Sequence, residues 1–392
     1  MSRTRFAVLT GVVLTLAAVQ SGHVWAQDTV KVGLVMPLTG VLGPVGKQAV
    51  AGARLYMAQH GDMVAGRKVE LIVRDDASVP DNAKRLAQEL IINDKAAILG
   101  GGLTPSVLAL APLVTESKTA TVVMVSGTSI VTERSPYFVR TSWTHAQQAS
   151  VLAEWAAKNG SKRATIIASD WAPGHEAAGV FSASFTAAGG SIVEAMKVPL
   201  ANPDFAPFLQ RARDGNPDTL FIFVPASQAA ILAKQFVERG LDKSGIKLIG
   251  PGDIADDQDL PGMSDAMVGM ITAGFYSAAH PSDLNRAYVA AFRKANANTR
   301  PNFISVSAYD GMHLIYEALK ATGGKTNGDA LIDAMKGMAW ESPRGPMSID
   351  PKTRDVIHDI YIRKVEKVGG ELYSVEHETF KAIKDPAKIA NK

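Results

Sequence analysis

Short apolar runs alternate along the chain with stretches of helical period. Residues 30–36 (VKVGLVM), 69–76 (VELIVRDD), 96–99 (AAIL) and 121–125 (TVVMV) read as strands. Helices are expected at about 47–59, at 82–92 and from about 105. Ala83, Leu86, Ala87, Leu90 and Ile91 share one face of the second, and Val107, Leu108, Leu110, Ala111 and Val114 carry the third. The alternation resumes with strands at 164–168, 219–224 and 247–249 and helices at about 175–188 and up to 239. A further helix is expected at 308–319, and 355–362 alternates in the manner of an edge strand. Strand–helix alternation of this kind predicts parallel sheets with right-handed crossovers. Two halves are visible, about 28–143 and 144–274.

In such sheets a ligand binds beyond the carboxyl ends of the strands. The glycine-, proline- and hydroxyl-rich loops all fall there. The fullest is Gly100-Gly101-Gly102-Leu103-Thr104-Pro105-Ser106. Thr104 suits an N-cap and Pro105 the first helical position. Free N–H groups and the positive helix end then favour an anion, and a carboxylate serves as well as a phosphate. The neighbouring strand ends in Ser126-Gly127-Thr128-Ser129. Later strands end in Ser169-Asp170-Trp171-Ala172-Pro173, in Pro225-Ala226-Ser227 and in Gly250-Pro251-Gly252-Asp253.

Composition narrows the classes of function. The N-terminus has Arg3 and Arg5, an apolar segment over 6–19 and Val24-Trp25-Ala26, the pattern of a secretory signal peptide cleaved near Ala26. The formal net charge is +3, and losing Arg3 and Arg5 with the leader leaves +1, with no basic cluster to suggest nucleic acid or an anionic membrane. There is no cysteine, which removes disulfides, thiolate metal sites and a lipid-anchored cysteine. Gly324-Lys325-Thr326 resembles the end of a P-loop, but Leu319 stands where the first glycine belongs. No G-x-S-x-G elbow and no H-E-x-x-H occur. The acidic run Asp256-Asp257-Gln258-Asp259 fails the EF-hand spacing and reads as a solvated loop. His145, His175, His280, His313 and His358 lack ligand spacing and read as surface or core histidines.

Taken in order, the leader, "VKVGLVMPLTGVLGPVGKQAVAGARLYM", the glycine loop, "VSGTS", "SDWAPGHEA", "LIGPGD" and "SAYDGMHLIYEAL" resemble one family. It is that of the periplasmic substrate-binding proteins of branched-chain amino-acid-type (Leu/Ile/Val-binding-like) ABC transporters. The resemblance implies an α/β, type I periplasmic-binding fold: two doubly wound parallel-sheet lobes joined by three crossover segments, near 141–145, 273–277 and 340–346. The N-terminal lobe would hold 28–143 plus 275–342, and the C-terminal lobe 144–274 plus 343–386. It implies a periplasmic, monomeric, non-enzymatic receptor that needs no cofactor or metal, closes on a small carboxylate ligand and presents it to an ABC transporter permease.

Carried over by motif, the ligand carboxylate falls to Leu103, Thr104, Ser126, Gly127 and Thr128, with Ser106 as an extra donor. Asp253 is the matching acid for an amino group. Trp171, Pro173, Phe223 and Tyr276 supply the apolar walls. The family's ordinary ligand is a branched-chain or other hydrophobic amino acid. Trp171, Pro173 and Leu103 make the walls larger and more apolar than the usual tyrosine–glycine turn, which points as an alternative to aromatic carboxylates, benzoate- or cinnamate-like. A ligand sensor for a signalling partner is a further alternative.

Overall fold

A computed structural model of the chain describes residues 29–389 apart from 41 and 202. The expected leader lies outside the described residues. The first sheet contains β1 (Val30–Met36), β2 (Met63–Val64), β3 (Arg67–Asp75), β4 (Ile98–Gly101), β5 (Ala120–Val123) and β6 (Phe138–Arg140), in the order β2-β3-β1-β4-β5-β6. All its pairs are parallel except β2–β3. The second contains β7 (Arg163–Ser169), β8 (Ser191–Val198), β9 (Thr219–Phe223), β10 (Lys247–Pro251), β11 (Ile271–Gly274), β12 (Ala339–Ser342), β13 (Gly345–Ile349), β14 (Val356–Val368) and β15 (Glu371–Ile383). Its order is β12-β13-β14-β11-β10-β9-β7-β8, with β15 on β14. Strands β7 to β11 pair in parallel, and β14 joins them antiparallel to β11.

Helices α1 (Gly43–His60), α2 (Pro80–Ile92), α3 (Thr104–Glu116), α4 (His145–Lys158), α5 (Ala172–Ala187), α6 (Ala206–Asp214) and α7 (Ala226–Glu238) alternate with these strands. Then α8 (Asp283–Ala295), α9 (Phe303–Ala321) and α10 (Gly328–Met335) return to the first lobe, where α9 packs along α1. Gly52 permits that approach, since a Cβ there would run into the Ser305 carbonyl.

Several helices begin earlier than periodicity alone suggests. α1 starts at Gly43 rather than 47, α5 at Ala172 rather than 175, and α9 at Phe303 rather than 308. The prolines in the first turns of α1 and α5 open these helices instead of breaking them, because the N–H they lack has no partner there anyway. In α9 the Asn302 side chain accepts from the amides of Ile304 and Ser305, and Ser305 returns the bond to complete a capping box. The expected edge strand at 355–362 is interior. β14 lies between β13, its neighbour in sequence, and the remote β11, and residues 358–363 are all buried. Ala339–Ser342 already pairs within the second sheet, earlier than the lobe boundary expected at 343.

Arg344 joins the three segments that link the lobes. Its guanidinium is buried and donates to the carbonyls of Ser142 at 3.2 Å and Thr141 at 2.6 Å. It lies over the Phe275 ring, 4.8 Å from the centroid, and pairs with Asp310 of α9 at 2.8 Å. Each segment thus contributes one surface to a single buried cation.

Candidate functional site

The N-terminal half of the cleft is built where β4 and β5 end. Thr104 is the first residue of α3, not its cap: Leu103 holds the N-cap position, and no side chain caps the helix. Spared from capping, the Thr104 hydroxyl lies 2.6 Å from Ser126 Oγ and 3.1 Å from Thr128 Oγ1. Ser106 does not join them. Its hydroxyl is buried and donates to Asp76 Oδ2 at 2.7 Å, so the expected extra donor is used elsewhere.

The loop 126–128 is held from behind. Arg140, fully buried and paired with Asp355 at 2.8 Å, donates to the carbonyls of Ser126 at 2.9 Å and Thr128 at 2.7 Å. The Gly127 carbonyl accepts from the His145 amide at 2.8 Å. All three carbonyls are therefore turned away from the cleft, while the three amides donate to no protein acceptor among the described residues. Hydroxyls, free amides and the start of α3 make a cradle of donors, which stabilises a carboxylate without a cationic side chain.

The opposite half gathers around Asp253, directly after β10. Gln148 of α4 accepts from the Gly252 amide at 2.7 Å and donates to Asp253 Oδ1 at 3.1 Å. His145 Nδ1 is 3.9 Å from Asp253 Oδ2. The histidine also touches the first half, because a Cβ on Gly127 would lie 2.6 Å from His145 Nε2 and from Trp143 Nε1. His145 is a core histidine, as expected, and it lies between the two halves. Beneath them, Trp143 stacks on Phe275 with centroids 5.6 Å apart and meets Phe303 edge-on at 4.9 Å. Phe223 meets the His145 ring edge-on at 5.1 Å. Tyr276 is fully buried, with burial holding its hydroxyl well above the usual phenol range. Trp171 and Pro173 sit half-buried at the start of α5, and Trp171 packs against the main core. One turn on, Glu176 Oε1 accepts from the Ser129 amide at 2.9 Å, so the lobes touch at the mouth.

Motif reading missed Gln148, Trp143, Phe303 and Arg363. Arg363 lies on β14, 3% exposed, and donates to the Tyr276 carbonyl and to Thr272 Oγ1. Its Nη2 has no partner among the described residues. Gly252 and Gly274 carry the signal that it is there: a Cβ at either would collide with Nη2. The run 256–259 is not the solvated loop expected. Asp256 and Asp257 are buried, the first accepting from Asn302 Nδ2 at 2.8 and 3.1 Å, the second from the Ala278 amide at 3.1 Å. Burial pushes Asp256 up to about 8 and Asp257 up to about 6.

Two lobes on either side of a donor cradle define a bilobal solute receptor. The model of one family, described as periplasmic binding protein, matches residues 29–370, and the chain belongs to that family. A solute-binding protein of an ABC transporter from Rhodopseudomonas palustris BisB5, solved with 3,4-dihydroxybenzoic acid, is 59% identical. The match covers 92% of this chain and 99% of that one, with a TM-score of 0.88. Its counterpart from Rhodopseudomonas palustris HaA2, solved with p-hydroxybenzoic acid, is 41% identical over 93% of this chain and 100% of that one, also at 0.88. A curated relative from Brucella suis, named Leu/Ile/Val-binding protein homolog 6, is 41% identical over 92% of this chain and 93% of its own length. The protein is a solute-binding protein of an ABC transporter. Its class is exported to the periplasm and works with a membrane permease.

Proposed function

We propose that the ligand is an aromatic carboxylate of the benzoate class, captured between the lobes and handed to the permease. The observation that carries this reading is Arg363. An amino acid would need a free acid for its ammonium, and Asp253 is the acid in place. Asp253 has one oxygen taken by Gln148 and the other open, and its charge, after those of Asp257 and Glu376, acts on the buried Arg363 guanidinium beside it. A second cation there would face Arg363 in a desolvated setting, where like charges repel strongly. A benzoate has no ammonium. Its carboxylate suits the Thr104, Ser126 and Thr128 donors, and its ring suits the walls of Trp143, Phe275, Phe303 and Phe223. The ligands of the two Rhodopseudomonas relatives support the same reading. The retained ligand residues are Leu103, Thr104, Ser126, Gly127, Thr128, Phe223, Asp253 and Tyr276, with Trp171 and Pro173 at the outer wall.

Isothermal titration with benzoates and with leucine, isoleucine, valine and phenylalanine tests it. Benzoates bind and the amino acids do not. Binding of leucine or valine with no response to any benzoate overturns it and restores the amino-acid alternative that the Brucella relative's name suggests.

A further inference from the structure

At the inner end of the cleft, Gln148, Gly252, Asp253, Gly274, Tyr276 and Arg363 surround a small pocket, with Phe275 and Phe303 beside it. Its free space is about 10 Å³, room for one water-sized group. That is too little for a carboxylate and enough for a hydroxyl.

Besides the Tyr276 hydroxyl, itself buried without a partner among the described residues, the pocket has one cationic donor and one carboxylate acceptor to offer. Arg363 is fixed on both sides of the unused group: Nε donates to Thr272 Oγ1 at 3.2 Å and Nη1 to the Tyr276 carbonyl. Nη2 is left buried without a partner among the described residues. Across from it, Asp253 Oδ1 is taken by Gln148, while Oδ2 accepts no hydrogen bond among the described residues and has His145 at 3.9 Å. The backbone has been cleared for this arrangement, since a side chain on Gly252 or Gly274 would occupy the position of Nη2. An unsatisfied buried cation donor beside an open carboxylate oxygen asks for one group that accepts and donates together. A hydroxyl does both.

We infer that this pocket is a hydroxyl subsite, which takes the ring hydroxyl opposite the carboxylate of a para-hydroxylated benzoate by donating from Arg363 and accepting at Asp253 Oδ2. The inference rests on the aromatic-acid reading above, with the carboxylate on the Thr104, Ser126 and Thr128 cradle. His145 lies between the two ends of the cleft, touching Gly127 on one side and facing Asp253 on the other. A ligand with hydrogen or methyl at that position leaves Nη2 desolvated and unpaired, and sites built to bond a hydroxyl reject such analogues steeply.

Titration of the purified protein with benzoate, 4-hydroxybenzoate and 4-methylbenzoate is the test. 4-Hydroxybenzoate binds at least ten-fold more tightly than either of the others. In Asp253→Asn, the ratio of benzoate to 4-hydroxybenzoate dissociation constants falls towards one. Gln148→Leu, which frees the Gly252–Asp253 loop, lowers the same ratio and serves if the first variant does not fold. Equal affinity for 4-methylbenzoate and 4-hydroxybenzoate overturns the subsite, as does an unchanged ratio in a well-folded Asp253→Asn. If benzoates bind with no para preference, only the subsite falls. If none binds, the aromatic-acid reading falls and takes the subsite with it.

Discussion

Arg344 and Asp310 form an ion pair at 2.8 Å, both side chains within 1% of full burial, where the three connections between the lobes meet. Burial pushes the Asp310 carboxyl up and the Arg344 guanidinium down, and each partner's charge opposes the other's shift. Asp310 also accepts from Trp340 Nε1 at 3.2 Å and Ser342 Oγ at 3.0 Å. The pair therefore holds α9 of one lobe against the strand that starts the last return to the other.

Removal of one partner strands the other charge in a dry site. Asp310→Ala is expected to cost about 3–5 kcal/mol of unfolding free energy, the range for a broken buried pair. Urea denaturation of the two proteins measures it. A loss below 1 kcal/mol would show that the Arg344 contacts to Thr141 and Ser142 suffice alone.

Thr104→Ala removes the hydroxyl that connects Ser126 and Thr128. A hydrogen bond to a charged group contributes about 1.5–3 kcal/mol, so benzoate affinity should weaken by roughly ten- to a hundred-fold. Thr104→Ser keeps the oxygen and should recover most of it. Titration calorimetry decides between them; equal affinity in all three proteins would move the carboxylate elsewhere.

Asp256 gives a pH prediction of uncommon sign. Its folded pKa is raised to about 8 from 3.8, by burial first and then by the charge of Asp259. The folded protein keeps this proton where the unfolded chain has lost it. The contribution is complete below about pH 4 and declines through about pH 8, by about 1.4 kcal/mol per pH unit for one group. Asp257, raised to about 6, adds in the lower part of that window. Asp256→Asn stays neutral throughout, so its stability relative to the parent should improve steadily from pH 5 to 8. Urea midpoints at three pH values read the difference, and a flat difference refutes it.

The β4 and β5 loops were legible because their chemistry is local: glycines, hydroxyls and a proline sit within a few residues of a strand end. Asp253 was legible for the same reason. Arg363, Gln148 and Phe303 were not, because each arrives from a different part of the chain. Arg363 lies on a strand whose antiparallel insertion beside β11 has no local signature. Its presence was written only indirectly, in glycines at 252 and 274. Asp256 and Asp257 misled for the opposite reason. A run of acids resembles a wet loop unless the Asn302 side chain that covers it, 46 positions on, is known. Helix starts were read late where proline and glycine open a helix, as at Pro44 and Pro173.

The bond from the Ser129 amide to Glu176 also has a practical side. It spans the mouth and joins one lobe to the other. The chain has no native thiol. A single cysteine placed next to either end of that bond would therefore take a dye at one position alone, and a change of its emission on adding a benzoate would report the movement that the proposed capture requires. The receptor would then serve as an optical gauge of its own ligand in solution.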